Sequence, residues 1–220
     1  MKKYLAHRSE DGREQAVLEH LEGTARSCAR SAGLFGAEEQ GRLAGLAHDL
    51  GKYSEAFQRR LCGSSEQVDH STAGAVECLR QGQLFAAFAV SGHHSGLPDG
   101  GSRGDGPARS SFFGRINRAS QGKLADYSAW QKEISLPIAS RPSYTGDKLS
   151  GMFFTRMLFS CLVDADYTDT GEFMGGAAPA ASSSTSIEVL WDQLQRYISG
   201  WFPPKGKLNS LRCAILERCI

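Results

Sequence analysis

Over residues 83–93 the chain reads QLFAAFAVSGH, apolar nearly all the way round a helix. A helix with no polar face belongs in an interior, so the rest of the chain must cover it. That cover also reads as helix. Across residues 13–32, Val17, Leu18, Leu21, Ala25, Cys28 and Ala29 recur at a 3.6-residue period. Gly33 and Gly36 stop that segment. Residues 38–50 form a second helix closed by Gly51, and residues 54–61 a short third. Asp69 or Ser71 can cap a helix running to Leu79. Residues 149–166 are long and strongly apolar, and residues 187–201 and 208–219 follow. No segment alternates with period two, so the expected fold class is all-α, a helical bundle without strands.

Two stretches break the pattern. Residues 95–123 are rich in Gly, Ser and Arg and read as one long loop, a feature that is usually functional or mobile. Residues 175–186, GGAAPAASSSTS, read as a flexible linker. The organisation expected is therefore a main domain over residues 1–174, the linker or loop over 175–186, and C-terminal helices over 187–220. The last amphipathic segment has neither cap nor polar tail, which suggests a further domain beyond it.

Composition limits the function. Lys plus Arg is 25 against 24 for Asp plus Glu, so there is no general basic coat and nucleic-acid contact has to come from local patches. No apolar run approaches the ~20 residues of a spanning helix, and none follows Lys2 and Lys3 as a signal peptide would. The six cysteines include no CxxC pair, and Cys28, Cys78 and Cys161 fall on apolar helical faces. They read as reduced core thiols of a cytoplasmic protein.

The chemistry-bearing residues come in order. His20 lies in the first helix. His48-Asp49 ends the second, in AHDLGK, with Lys52 directly after. His70 stands at a helix start in VDHSTAGA, His93-His94 ends the apolar helix, and Asp164 and Asp166 lie late, in LVDADYTDT. Imidazole and carboxylate together bind divalent transition ions. One carboxylate can bridge two ions, and two ions ~3.5–4 Å apart can clamp a phosphodiester. Each of these residues alone has a bland explanation, as core histidine, helix-end charge or solvated lysine. Their ordered combination points to a site.

This ordered set resembles the HD superfamily of metal-dependent phosphohydrolases. His70 and the His93-His94 pair narrow the resemblance to the HD nuclease domain of the type I CRISPR-associated nuclease-helicase. The segments YLAHRSEDGREQAVLEHL, AHDLGKYSEAFQRRL and LFSCLVDADYTDTGEF look most like its subtype I-C branch. The resemblance covers roughly residues 4–175 and resumes in the last helix. It implies an all-α HD bundle with a dinuclear metal site and a metal-dependent endonuclease that cuts single-stranded DNA in CRISPR interference. The implied partners are single-stranded DNA, the CRISPR effector (Cascade) complex and a superfamily 2 helicase in the same or a separate chain. No phosphate-binding Gly-Lys-Ser/Thr motif is present, so the helicase is not in this sequence.

By the same resemblance, His20, His48, Asp49 and a late aspartate hold one ion, and His70, His93 and His94 hold a second that Asp49 bridges. Lys52 contacts the scissile phosphate. ADYTDT fits the family pattern with Asp166 as ligand and Thr170 as hydroxyl. Asp164 lies nearer the apolar face set by Met157, Leu158, Cys161 and Ala165. The two aspartates are about 200° apart on a helix, so one ion cannot take both, and Asp166 is preferred. A histidine-dominated set favours Fe, Mn, Co or Ni over Mg alone. Two dications against Asp49 and Asp166 leave a charge that suits a phosphate. Arg103, Arg109, Arg115 and Arg118, with Phe112 and Phe113, either guide a strand by charge and stacking or belong to an ordinary surface loop. His7 is left over and reads as surface. An HD phosphohydrolase acting on nucleotides, and a metal-stabilised adaptor that only binds the effector complex, are the alternatives. A closed pocket would favour the first of these, and absence of phosphodiesterase activity the second.

Overall fold

The computed structural model describes residues 4–175 and 185–219. The chain divides into two compact units, Met1–Gly176 and Ala177–Ile220.

The first unit opens with a hairpin that the sequence pattern did not announce. Strand β1 (Leu5–Arg8) pairs antiparallel with β2 (Glu14–Ala16), with His7 opposite Gln15. Residues 13–16 had been expected to begin the first helix. At four and three residues these strands are too short to show a period of two. The Asp11-Gly12 turn between them was the available signal. Helix α1 (Val17–Gly33) starts directly after, where the Glu19 carboxylate accepts the Ala16 N–H at 2.9 Å.

Helix α2 (Glu38–Ala47) packs along α1. Their backbones come close, since a Cβ on Gly45 would lie 2.4 Å from Ala25 Cα. A single 3-10 turn (Leu50–Tyr53) and α3 (Glu55–Leu61) follow, then α4 (Ser71–Arg80) and α5 (Leu84–Gly92). In α5, Ala86, Ala87, Ala89 and Val90 are buried, while Leu84 at the first turn is exposed. Small residues let α4 and α7 (Lys148–Phe173) both pack against α5. Leu21, Leu43, Leu50, Leu158 and Leu162 are fully buried in the same core. Each contributes roughly 1.5–3 kcal/mol of transfer free energy.

The stretch read as one long loop contains helix α6 (Phe112–Arg118), capped by Ser111, whose Oγ accepts the Gly114 N–H at 3.2 Å. Phe112 is fully buried and stacks on Phe88 with ring centres 3.9 Å apart, so it is core and not a free stacking surface. Seven residues give too little periodicity to mark a helix.

In the second unit, α8 (Ile187–Ser199) and α9 (Lys207–Leu216) are present, with Ile198 and Cys213 buried. Ser186 Oγ accepts the Val189 N–H at the start of α8. Most of the linker expected at 175–186 lies outside the described residues. Among the described residues the protein is mostly helical, with the two-stranded hairpin as its sheet. No described helix is long and apolar enough to cross a membrane. The cysteines are free thiols, with Cys28, Cys78 and Cys213 buried.

Candidate metal centre

Asp49 sits two residues past the end of α2, at the start of the 3-10 turn, and is fully buried. Five histidines from four elements converge on it. Its Oδ2 lies 3.4 Å from His20 Nε2 and 3.3 Å from His48 Nε2. Its Oδ1 lies 3.5 Å from His70 Nε2, 3.3 Å from His93 Nε2 and 3.9 Å from His94 Nε2. Asp166 Oδ1 completes the first side, 3.3 Å from His20 Nε2 and 3.5 Å from His48 Nε2.

Two groups of possible ligands result, His20-His48-Asp49-Asp166 and Asp49-His70-His93-His94, and Asp49 belongs to both. Either could hold a metal ion. An ion bonded at about 2.1 Å to nitrogen and oxygen sets neighbouring ligand atoms about 3.0–3.4 Å apart, the range that most of these distances approach. Both Asp49 oxygens and His93 Nε2 are buried without a hydrogen-bond partner. Leaving such atoms unsatisfied is costly, so the donor set fits a cation. Lys52 Nζ stands 2.7 Å from Asp49 Oδ2 as an ion pair, without the alignment of a hydrogen bond.

The imidazoles are aimed by their other nitrogens. His48 Nδ1 donates to the Gly45 carbonyl at 2.7 Å, and His93 Nδ1 to the Val90 carbonyl at 2.7 Å. His20 Nδ1 donates to Asp169 Oδ2 at 2.8 Å, and Gln15 Nε2 donates to the same oxygen at 2.8 Å. Such partners set the ring orientation and direct each Nε2 into the cluster, where His20 Nε2 and His48 Nε2 lie 3.1 Å apart. Neither Asp169 nor Gln15 was singled out from the sequence. The signal for Asp169 was its position three residues after Asp166, on the same helical face.

Gly51 was read as a helix stop, yet its φ is not positive. What it permits is a close approach. A Cβ there would lie 2.3 Å from the His70 carbonyl oxygen and 2.4 Å from its Cα. The missing side chain lets the start of α4 bring His70 up to Asp49.

Electrostatics differ between the two sides. Burial pushes His20 down, but Asp166, Asp169 and Asp49 outweigh it and raise its pKa to about 9. Burial likewise opposes protonation of His48, and Asp49 and Asp166 overcome it, raising the pKa to about 10. The reciprocal effect holds Asp49, against its burial, well below the carboxylate range through Lys52 and His48. Asp166 is held down against burial by His20 and His48. On the other side burial dominates. It lowers His70 and, with His93 and His70 adding to it, takes His94 to about 4. The carboxylate-rich side therefore attracts a cation or protons, whereas burial disfavours the protonated forms of His70 and His94.

The late aspartates separate cleanly. Asp166 joins the cluster, whereas Asp164 is exposed and in neither group. The buried face of α7 is Gly151, Phe154, Leu158, Leu162 and Ala165. Met157, part of the apolar face that tilts the expectation towards Asp164, is exposed, and Cys161 lies at the edge of the buried face, only partly buried.

Of the four arginines expected to meet nucleic acid, Arg115 is used internally. Its Nη1 donates to the Ser91 carbonyl at 2.7 Å and its Nη2 to Ser71 Oγ and Thr72 Oγ1 at 3.0 and 2.9 Å. It ties α6 to the start of α4 and the end of α5, next to His70 and His93. Arg103 and Arg109 are exposed, and Arg118 is partly so. The Arg103 guanidinium lies over the Phe113 ring.

His7, read as surface, is in the site. Its ring stands edge-on to His20 at 4.8 Å, and its Nε2 is 3.2 Å from Lys52 Nζ. Burial, then Lys52 and His20, depress its pKa to about 3.

No protein-family model matches the chain, and no curated protein matches it either.

Proposed function

We propose that this chain is a metal-dependent phosphodiesterase of the HD type, a cytoplasmic single-stranded DNA endonuclease acting in CRISPR interference. The observation that carries the reading is Asp49, one carboxylate with one oxygen turned to each of two ligand groups. The ordered sequence pattern is the second support.

In this reading His20, His48, Asp49 and Asp166 hold one divalent ion, and His70, His93 and His94 with the other Asp49 oxygen hold a second. Fe, Mn, Co or Ni suit the nitrogen-rich set better than Mg. Bound there, such ions would supply Lewis acidity towards a phosphodiester and lower the pKa of a bound water. The chain's own residues do the rest. Asp169 and the carbonyls of Gly45 and Val90 keep three imidazoles aimed. Arg115 seats the start of α4 against the end of α5. Lys52 supplies the donor for a phosphate oxygen. Asp169 and Lys52 carry opposite charges, so they leave the balance of two dications against Asp49 and Asp166 unchanged, and a phosphate remains welcome.

One edge of the site is open, with the His94 side chain 50% accessible while those of Asp49, His20, His48 and His93 are closed off. An open edge favours a polymer over a nucleotide held in a closed pocket. The test is incubation of the chain with circular single-stranded DNA across Mn, Co, Ni, Fe and Mg, with a chelator control. Linearisation that depends on metal supports the reading. Hydrolysis of nucleotides with intact circles would favour the nucleotide phosphohydrolase. Metal binding with no hydrolysis of either would leave the binding adaptor.

A further inference from the structure

His7 belongs to neither ligand group, yet the fold goes to some length to fix it. It sits on β1 opposite Gln15, and Gln15 is bonded to Asp169 of α7. Arg13, just before β2, donates to the Phe173 carbonyl at the end of α7 at 2.6 Å. The hairpin is thus anchored to α7 at two points, and His7 Nε2 meets Lys52 Nζ at 3.2 Å and Thr170 Oγ1 at 3.4 Å.

Lys52 is a nearly buried ammonium, 4% exposed, with the Phe57 ring centre 5.6 Å from its Nζ. Lysine only donates, so an ammonium facing His7 Nε2 requires that nitrogen to carry the lone pair. The anion beside Lys52 is Asp49, which is also the carboxylate shared by both histidine groups. A cation in the His20 group would draw on the same Oδ2, and one in the His70 group on the same carboxylate through Oδ1, and either would weaken the carboxylate's hold on Lys52. His7 is a neutral acceptor outside that competition.

We propose that His7 is a positioning residue for Lys52: it keeps the ammonium beside Asp49, ready for a phosphodiester oxygen, when the Asp49 oxygens are engaged elsewhere. Without it the flexible four-carbon stem is free to swing away. The inference rests on the phosphodiester reading above, and its test separates the two.

The variants are His7→Phe, which keeps ring contact with His20 but removes the acceptor, His7→Gln, which restores an acceptor, and Lys52→Met. The first readout needs no activity: melting temperatures in chelator and in Mn²⁺ for each single variant and for the His7→Phe, Lys52→Met double variant. The expected double variant melts no lower than Lys52→Met alone, because the link is already cut. The second readout is Mn²⁺-dependent hydrolysis of bis(4-nitrophenyl) phosphate. His7→Phe raises KM about tenfold while kcat falls less than about threefold, as loss of one charge-assisted contact to bound substrate requires. His7→Gln recovers most of the KM, and the Mn²⁺ titration midpoint stays within about threefold. Additive melting losses overturn the proposal. So does an unchanged KM in an active His7→Phe protein, or a loss of Mn²⁺ affinity as large as the rise in KM. If the unaltered chain hydrolyses no phosphodiester with any ion, the functional reading fails, and the melting cycle still decides whether His7 holds Lys52.

Discussion

Gly51→Ala is a one-carbon change that should disable half of the site. Because Gly51 does not need a positive φ, alanine fits its backbone and the whole effect is steric. The added Cβ would stand 2.3, 2.4 and 2.7 Å from the oxygen, Cα and carbonyl carbon of His70, where 3.4–4 Å is ordinary contact. The start of α4 has to retreat by about 1 Å, an overpacking that costs about 1–3 kcal/mol. In a unit of this size that lowers the melting temperature by roughly 2–12 °C. Metal bonds tolerate only about 0.2 Å, so His70 leaves the Asp49-His70-His93-His94 group while the His20 side keeps its ligands. The assay is Co²⁺ titration followed by its absorption spectrum, with melting curves run alongside. The expected result is one tight ion per chain in place of two, and cleavage lost. Gly171→Ala on α7, with nothing within 4 Å of its Cβ, is the control and should be neutral or gain about 0.5–1 kcal/mol. Two tight ions and an unchanged melting temperature in Gly51→Ala would refute the reasoning.

Three further outcomes are expected. Asp166→Asn should abolish metal-dependent cleavage and empty the His20 side in a Mn²⁺ titration, while Asp164→Asn keeps both; the reverse result would mean that the wrong face of α7 carries the ligand. Asp169→Ala, which frees His20 Nδ1, should weaken the same group about 10–100-fold by calorimetry, and unchanged affinity would show that Asp169 only packs. In chelator, melting temperature should peak near pH 6.5. His20 and His48, raised to about 9 and about 10, contribute stability that is complete below their unfolded value of about 6.5. It is lost as pH rises through 9–10. His7 and His94, lowered to about 3 and about 4, contribute stability that is complete above 6.5 and lost as pH falls through that acidic range. Asp49 and Asp166, also lowered, deepen the acid loss. Added Mn²⁺ should therefore raise the melting temperature more at pH 9 than at pH 6, and a flat chelator profile from pH 6.5 to 10 would contradict the assigned charges.

The sequence by itself determined the helical class, the buried middle of α5 and the ordered histidines and aspartates that converge on Asp49. Those signals are local. A 3.6 period reports which face is apolar, and the types of His and Asp report what a site could bind. Tertiary structure decided matters that depend on who stands next to whom. Asp166, preferred over Asp164 on the resemblance, stands beside His20 and His48 because of the buried face of α7, set by Leu158, Leu162 and Ala165, a packing the linear pattern did not show. Arg115 became an internal tie because its partners, Ser71, Thr72 and Ser91, are more than twenty residues away in sequence. The hairpin is too short to show its own period, and it is held from afar, by α7 through Asp169 and the Phe173 carbonyl and by α3 through Gln58. His7 and Gly51 are the sharpest cases. A lone histidine and a glycine after a helix carry no sign of their role until the chain folds. Folding places an ammonium 3.2 Å from the one and a neighbouring backbone where the Cβ of the other would be.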